Sequence, residues 1–173
     1  MKMARLRAVI AICVIFQVAV WAQQNGAAVL EISGDVAHPH SYQEQEWKQL
    51  KHISISATNE HEKKTATYSG VLLRDLLKEA GVPSGENLRG KALTICVVVT
   101  ANDGYQVTFS IAELDEGIGN LQVLVADSED GKPLAPTAGL LRLVVPADKR
   151  PARWVRMVKT IRVVANPSAA LPQ

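Results

Sequence analysis

Positively charged side chains crowd the C-terminal part of this sequence. The segment 142–162 holds seven basic residues and one acidic residue, Asp148. Because Arg150 precedes a proline, we expect a loop at this point rather than a strand. A loop that gathers several guanidinium and ammonium groups could clamp a phosphate or a carboxylate, since guanidinium forks bind such anions through paired hydrogen bonds. The candidates are Lys149, Arg150, Arg153 and Arg156. The alternative is a solvated strand face with an exposed turn.

The four histidines also fall close together in the sequence. They are His38, His40, His52 and His61. Imidazole is the commonest protein ligand of metal ions. No cysteine or carboxylate pair nearby completes a tetrahedral set. We therefore predict surface histidines and no metal site, and a histidine metal site is the alternative.

Other reactive groups in the sequence favour structure over chemistry. Cys96 lies in the apolar run 94–98 without a basic neighbour, so we predict a buried thiol that packs in the core. The acidic run 127–130 precedes Gly131 but lacks the twelve-residue calcium loop, so we predict a solvated turn. No haem-attachment, nucleophile-elbow or phosphate-loop motif occurs.

Strands dominate the elements that must position these residues. Apolar runs and alternation predict strands at 28–33, 53–56, 66–68, 92–101, 105–109, 121–126, 140–145 and 154–164. Capping boxes at Ser41 and Ser110 predict helices at 41–50 and at 110–117. A stripe of leucines at helical spacing, which stops at Gly81, predicts a third helix at 71–80. Because helices interrupt the strands irregularly, we predict an α+β fold rather than a doubly wound sheet.

The first 22 residues have the pattern of a secretory signal peptide. Three basic residues in 1–7 precede the apolar run 8–21, and Ala22 marks the expected cleavage site. An uncleaved membrane anchor is the alternative, although the run is shorter than the about 20 residues of a span. We predict a periplasmic or secreted protein with a single domain at 23–165, a frayed tail at 166–173 and no stable membrane span.

Composition limits the partners of this domain. The 173 residues carry 19 basic and 17 acidic side chains, a net charge of +2, and removal of the signal peptide shifts the charge to about −1. A nearly neutral chain argues against a strong duplex binder, and 5% aromatic residues argue against a stacking surface for single strands. We expect no nucleic-acid partner.

Five short motifs, taken together, resemble one protein family. They are YSGVLLRDLL at 68–77, DGY at 103–105, GKPL at 131–134, LRLVVP at 141–146 and RWVR at 153–156. Their order and spacing over residues 28–164 resemble the oxidoreductase molybdopterin-binding domain of the sulfite oxidase family. The resemblance implies mixed, curled β-sheets with few short helices. It also implies a molybdenum cofactor whose pyranopterin carries an anionic phosphate.

The resemblance also implies roles for individual residues. Arg153 and Arg156 match a basic pair that lies toward the cofactor in that family. The candidates for contact with an anionic cofactor or ligand are accordingly Lys149, Arg150, Arg153, Arg156 and His61.

The sequence departs from the family where the metal is bound. Family enzymes carry a metal-ligating cysteine upstream of the first motif, where this chain reads SISATN at 54–59, and Cys96 follows that motif. The signal sequence has Arg5-Leu6-Arg7 instead of the twin arginines that serve cofactor-loaded proteins exported in the folded state.

These departures favour a non-catalytic member of the family. We expect an exported protein that binds a small anion or a periplasmic protein partner through the basic segment 149–156. A working molybdopterin-dependent oxidoreductase is the alternative, and its unconventional metal ligand would be Ser56, Asn59 or His61. A third hypothesis is an accessory protein that acts through a sheet surface.

Overall fold

Ten strands and three short α-helices make up the part of the chain that the computed structural model describes, residues 28–165. The strands are β1 (Leu30–Gly34), β2 (His40–Tyr42), β3 (Ile53–Asn59), β4 (Lys64–Leu72), β5 (Cys96–Ala101), β6 (Gln106–Ser110), β7 (Leu124–Glu129), β8 (Lys132–Pro133), β9 (Arg142–Val144) and β10 (Val158–Val164). The helices are α1 (Glu44–Trp47), α2 (Leu73–Glu79) and α3 (Ile111–Leu114). The predicted signal peptide at 1–22 and tail at 166–173 lie outside the described residues.

The strands form two sheets of five. In the first sheet the order is β2-β1-β10-β5-β6, and only β1 and β10 run parallel. In the second sheet the order is β3-β4-β7-β8, and β9 also pairs with β7. The mixed sheets and short helices confirm the predicted α+β class. None of the helices in residues 28–165 has the length and apolarity to cross a membrane.

A single apolar core unites the two sheets and α2. Leu30 and Ile32 of β1 are buried while Glu31 between them is exposed, which is the alternation expected of a strand with one face in the core. Val97 and Val99 of β5 have no exposed surface. Burial of these β-branched side chains supplies the main favourable free energy for the sheets, about 1.5–3 kcal/mol for each fully buried aliphatic side chain.

The predicted helix at 71–80 begins two residues late. Val71 and Leu72 continue β4 and pair with β7, so α2 starts at Leu73. The spacing of the leucines could not show that Val71 and Leu72 belong to the strand rather than to the helix, because a buried strand and a buried helix turn are equally apolar. Gly81 takes a positive φ of 81° after the helix, as a left-handed helix end requires.

The two predicted capping boxes have different outcomes. Ser110 caps α3: its hydroxyl accepts a hydrogen bond from the Ala112 amide at 3.1 Å, and Glu113 accepts one from the Ser110 amide at 3.1 Å. The box predicted at Ser41 is wrong, because Ser41 lies in β2 and Gln43 is the N-cap of the single-turn α1.

Two strands begin four residues later than predicted. The strand predicted at 92–101 begins at Cys96, because Gly90–Thr94 form a 3-10 helix. Cys96 is partly exposed rather than buried, since it lies on the opposite face of β5 from Val97. The strand predicted at 154–164 begins at Val158, after a loop.

Candidate anion-binding site

The candidate site is built on a close approach between β4 and β7. A Cβ on Gly70 would lie 2.1 Å from the carbonyl oxygen of Val125, so only glycine fits at this position. Ala126 of β7 pairs with Gly70 on one side and with Arg142 of β9 on the other. Paired residues point to the same face of a sheet. The small side chain of Ala126 therefore leaves room beside it for a long one from β9.

Arg142 fills this room with a buried cation. It is 7% exposed, and its guanidinium carbon lies 5.5 Å from the ring centroid of Tyr68 and 5.7 Å from that of Trp154. The nearest carboxylate is that of Glu129, with Nη1 and Oε2 4.0 Å apart. Within the described part of the chain, Arg142 Nε is buried and has no hydrogen-bond partner. A buried donor without an acceptor is costly, and an anionic group would relieve that cost.

Arg142 opens onto a cavity of about 500 Å³, which we call the Arg142 cleft. Its charged lining residues are Glu62, Lys64, Glu129, Asp130, Lys132, Arg142 and Arg156. Two of the carboxylates have partners: Glu129 accepts a hydrogen bond from Lys64, and Asp130 accepts one from the Thr67 amide at 2.9 Å. Neither Lys132 nor Arg156 belongs to an ion pair within residues 28–165. Four cationic and three anionic side chains line the cleft, so positive charge is in slight excess.

A strained turn presents Arg156 to this cleft. The next residue, Met157, has a positive φ of 53°, which is uncommon for a residue with a side chain. Two backbone hydrogen bonds fix it: the Met157 amide donates to the Ala138 carbonyl at 2.7 Å, and its carbonyl accepts from the Asn102 amide at 2.8 Å. Such strain persists only where the surrounding structure enforces it.

Arg153 is paired with carboxylates of its own chain. Its Nε and Nη2 contact the two carboxylate oxygens of Asp148 at 2.9 and 2.6 Å, and its Nη1 lies 3.3 Å from Oε1 of Glu113. The guanidinium carbon also lies 4.7 Å from the ring centroid of Phe109. The hydrogen bond to Asp148 raises the pKa of Arg153 further above its usual value. Arg153 does not line the Arg142 cleft.

The other three predicted residues meet at a different place. His61, Lys149 and Arg150 line an open cleft of about 410 Å³, together with Glu60, Pro151 and Ala152. The structure therefore groups three of the five predicted residues here and places Arg156 at the Arg142 cleft. The binding role of all five stays a prediction.

Sequence reasoning missed the buried centre of the site. The sequence shows Arg142 as one of seven basic residues in 142–162. It does not show that Tyr68, Trp154 and Lys132 lie around Arg142. One signal was available: Arg142 is the only charged residue in an apolar run, LRLVVP at 141–146, that was predicted to be a buried strand. Charged residues are almost never fully buried without a partner.

The histidines are spread over the surface of the described region, with one exception. His38, His40 and His61 are exposed. His52 is half-buried, and its Nε2 lies 2.7 Å from Oδ2 of Asp127. Trp47 Nε1 donates to the same carboxylate oxygen at 2.8 Å, so Asp127 joins α1 to β7 and is not part of a solvated turn. No group of three or more His, Cys, Asp or Glu side chains within residues 28–165 is arranged to hold a metal ion.

The proposed unconventional ligands do not converge. Ser56 and Asn59 are three residues apart on β3, and successive side chains of a strand alternate between its two faces. The two side chains therefore point to opposite faces, with Ser56 exposed and Asn59 buried. Asn59 Oδ1 accepts hydrogen bonds from the amides of His61 and Glu62 at 3.1 and 3.3 Å. These contacts give Asn59 a structural role at the turn that follows β3.

Comparison with known proteins agrees with the resemblance in the sequence. The model of the oxidoreductase molybdopterin binding domain matches residues 18–171. The chain belongs to this family. No curated protein matches the sequence.

A solved structure shows the same fold. The sulfane dehydrogenase SoxCD from Paracoccus pantotrophus is similar, with a TM-score of 0.62 and 18% sequence identity. The match covers 79% of this chain but only 38% of that chain. The similarity establishes a sulfite oxidase-like fold for this protein.

The residues of this chain fit only part of a molybdopterin cofactor. An anionic phosphate requires positive charge and hydrogen-bond donors. The Arg142 cleft supplies both through Arg142, whose Nε has no partner among residues 28–165, and through Arg156 and Lys132. Residues 54–59, where the resemblance places the metal-ligating cysteine, contain no thiol. Cys96 lies in β5 of the other sheet. The donor set therefore does not fit a molybdenum held by a protein thiolate.

Proposed function

We propose that this protein is an exported, non-catalytic member of the molybdopterin-binding domain family that binds a small anion in the Arg142 cleft. The observation that carries the proposal is the buried Arg142 guanidinium, which lies against aromatic rings and whose Nε has no partner among residues 28–165. Export rests on the sequence of residues 1–22.

The unpaired Nε of Arg142 has a cost in free energy that a bound anion would remove. A hydrogen bond to a charged group contributes about 1.5–3 kcal/mol, and a buried donor without an acceptor loses a similar amount. Glu129 is only a distant partner of Arg142, at 4.0 Å, and it also binds Lys64. A phosphate or carboxylate oxygen on Arg142 Nε would complete the site, and Arg156 would contribute a second positive charge.

The non-catalytic part of the proposal rests on the donor set. In this family the resemblance implies a cysteine thiolate as metal ligand, and no cysteine lies in residues 53–59. We therefore propose that the cleft retains the anion-binding half of the family site and has lost the redox half.

Calorimetric titration with inorganic phosphate tests the proposal. Saturable binding to the wild-type protein is expected, with affinity at least tenfold lower in Arg142→Gln and severalfold lower in Arg156→Gln. Arg153→Gln is the matched control and should bind as the wild type does, because Arg153 is paired with Asp148. Equal phosphate binding by wild type and Arg142→Gln, or no saturable binding by folded wild type, would overturn the proposal.

A further inference from the structure

A second cavity lies between α2 and α3 and shares no lining residue with the Arg142 cleft. This cavity, which we call the α2–α3 cavity, has a volume of about 380 Å³. Four buried apolar side chains line it: Leu77, Val82, Ile111 and Leu114. Polar and charged residues make up much of the remaining lining: Arg74, Asp75, Lys78, Ser84, Asp115 and Glu116. A concave site that combines apolar side chains with polar groups is typical of small-molecule binding.

The walls of the cavity are fixed by one buried carboxylate. Asp115 is 8% exposed, and its two oxygens accept hydrogen bonds from the amides of Gly85 and Gly117 at 2.7 and 2.8 Å. Both glycines belong to loops that line the cavity. Asp115 thus joins the two loops, and its oxygens already have donors.

Among the cavity's lining residues, all within 28–165, only Arg74 has a buried side-chain polar atom without a hydrogen-bond partner. Its Nη1 donates to Asn120 Oδ1 at 2.7 Å, and its Nη2 lies 2.8 Å from Oε1 of Glu116. Its Nε is buried without a partner among residues 28–165. The Nε and Nη2 groups of an arginine form the edge that binds a carboxylate through two parallel hydrogen bonds.

Glu116 occupies only half of that edge and is poorly anchored. Its side chain is 73% exposed, whereas the Arg74 side chain is 18% exposed. An ion pair whose carboxylate lies largely in solvent contributes little free energy. A second carboxylate with an apolar body could therefore replace Glu116 at small cost.

We propose that the α2–α3 cavity binds a small amphipathic carboxylate. Its apolar body lies against Leu77, Ile111 and Leu114, and its carboxylate replaces Glu116 on the Nε–Nη2 edge of Arg74. An amine does not serve, because a cationic group offers no acceptor to Arg74 Nε. A neutral amide offers one oxygen where the arginine edge presents two donors.

Three probes of equal length separate these chemistries: octanoate, octanamide and octylamine. Each is titrated into the methyl-labelled protein while the methyl resonances of Leu77, Ile111 and Leu114 are followed by NMR. Octanoate should give saturable shifts at these methyl groups, octanamide should bind at least tenfold more weakly, and octylamine should not compete. Octylamine binding as tightly as octanoate, or no saturable shift with octanoate, would overturn the proposal.

Two substitutions assign the binding to Arg74. Arg74→Gln should lower octanoate affinity at least tenfold, and Glu116→Gln should raise it severalfold because the competing carboxylate becomes neutral. Arg162→Gln, at an exposed arginine of β10 that lines neither cavity, is the matched control and should leave octanoate affinity unchanged. If Arg74→Gln does not fold, Glu116→Gln decides: unchanged or weaker octanoate binding contradicts the proposal.

Discussion

Arg142 and Arg153 both lie in the stretch 142–162, which is rich in basic residues, yet their surroundings in the fold are opposite. Arg142 lies on a strand and is buried beside two aromatic rings, and its Nε has no hydrogen-bond partner in the described part of the chain. Arg153 lies in a loop, and two carboxylates of its own chain bind it. The comparison shows that positive charge in a sequence is not the same as positive charge available to a ligand.

The two carboxylates explain what Arg153 does instead. Asp148 lies in the same loop, and Glu113 belongs to the capping box of α3. Arg153 therefore fastens the loop at 148–153 to the start of α3. Arg142 has no equivalent role, since its nearest carboxylate is 4.0 Å away.

The largest expected effect comes from the close approach of β4 and β7 at Gly70. Gly70→Ala should destabilise the protein by about 3 kcal/mol or more, because β4 and β7 must separate to admit a Cβ that lies 2.1 Å from a backbone oxygen. Urea denaturation measures this loss. The control is Gly104→Ala, where a Cβ meets nothing within 4 Å and only the positive φ costs about 1–2 kcal/mol. A Gly70→Ala cost no larger than that of the control would contradict this account of the β4–β7 approach.

A smaller loss of stability is expected from a substitution beside Arg153, and it distinguishes the roles of the two arginines. Asp148→Asn should destabilise the protein by about 1 kcal/mol, because it removes the charge from a partly exposed paired contact with Arg153. Saturating phosphate should raise the melting temperature of Asp148→Asn as much as that of the wild type, since the ligand binds elsewhere, and should not raise that of Arg142→Gln. A larger phosphate effect in Asp148→Asn than in the wild type would place the anion at Arg153 instead, because the substitution removes the carboxylate that competes for Arg153.

The smallest effect concerns the Tyr68 hydroxyl. Burial raises the pKa of Tyr68, and the positive charge of Arg142 partly offsets that rise. Removing the charge in Arg142→Gln should therefore raise the Tyr68 pKa further, whereas Arg153→Gln should leave it unchanged. Absorbance titration at alkaline pH, with Tyr68→Phe to identify the signal, measures the difference. An unchanged titration in Arg142→Gln would mean that the guanidinium does not act on Tyr68.

The raised pKa of Tyr68 also predicts how the free energy of unfolding depends on pH. Tyr68 ionises less readily in the folded than in the unfolded chain. Its contribution is fully present below the unfolded tyrosine pKa of about 10 and is lost as pH rises above it. Urea unfolding at neutral and alkaline pH should show a smaller loss of stability in Tyr68→Phe than in the wild type. An equal loss in both proteins would show that Tyr68 does not contribute.

Local patterns in the sequence were sufficient for much of the fold. Alternation along β1 and the Ser110–Glu113 spacing report on neighbouring residues, so the strand and the capping box could be predicted directly. The start of α2 could not, because pairing with β7 decides that Val71 and Leu72 stay in a strand.

The site was harder to predict because its contacts link distant parts of the chain. Arg153 is 40 positions from Glu113, and His52 is 75 positions from Asp127. The number of basic residues could be read from the sequence, but their carboxylate partners could not. The lack of a cysteine at 54–59 was readable, and that local fact underlies the non-catalytic interpretation.

The most direct test of that interpretation is the molybdenum and pterin content of the full chain purified from cells that make the cofactor. Elemental analysis and pterin fluorescence are measured on the same sample, with a molybdopterin enzyme from the same cells as positive control. The account predicts substoichiometric background levels of both in this protein. Stoichiometric molybdenum together with pterin would contradict it and would establish a ligand other than cysteine.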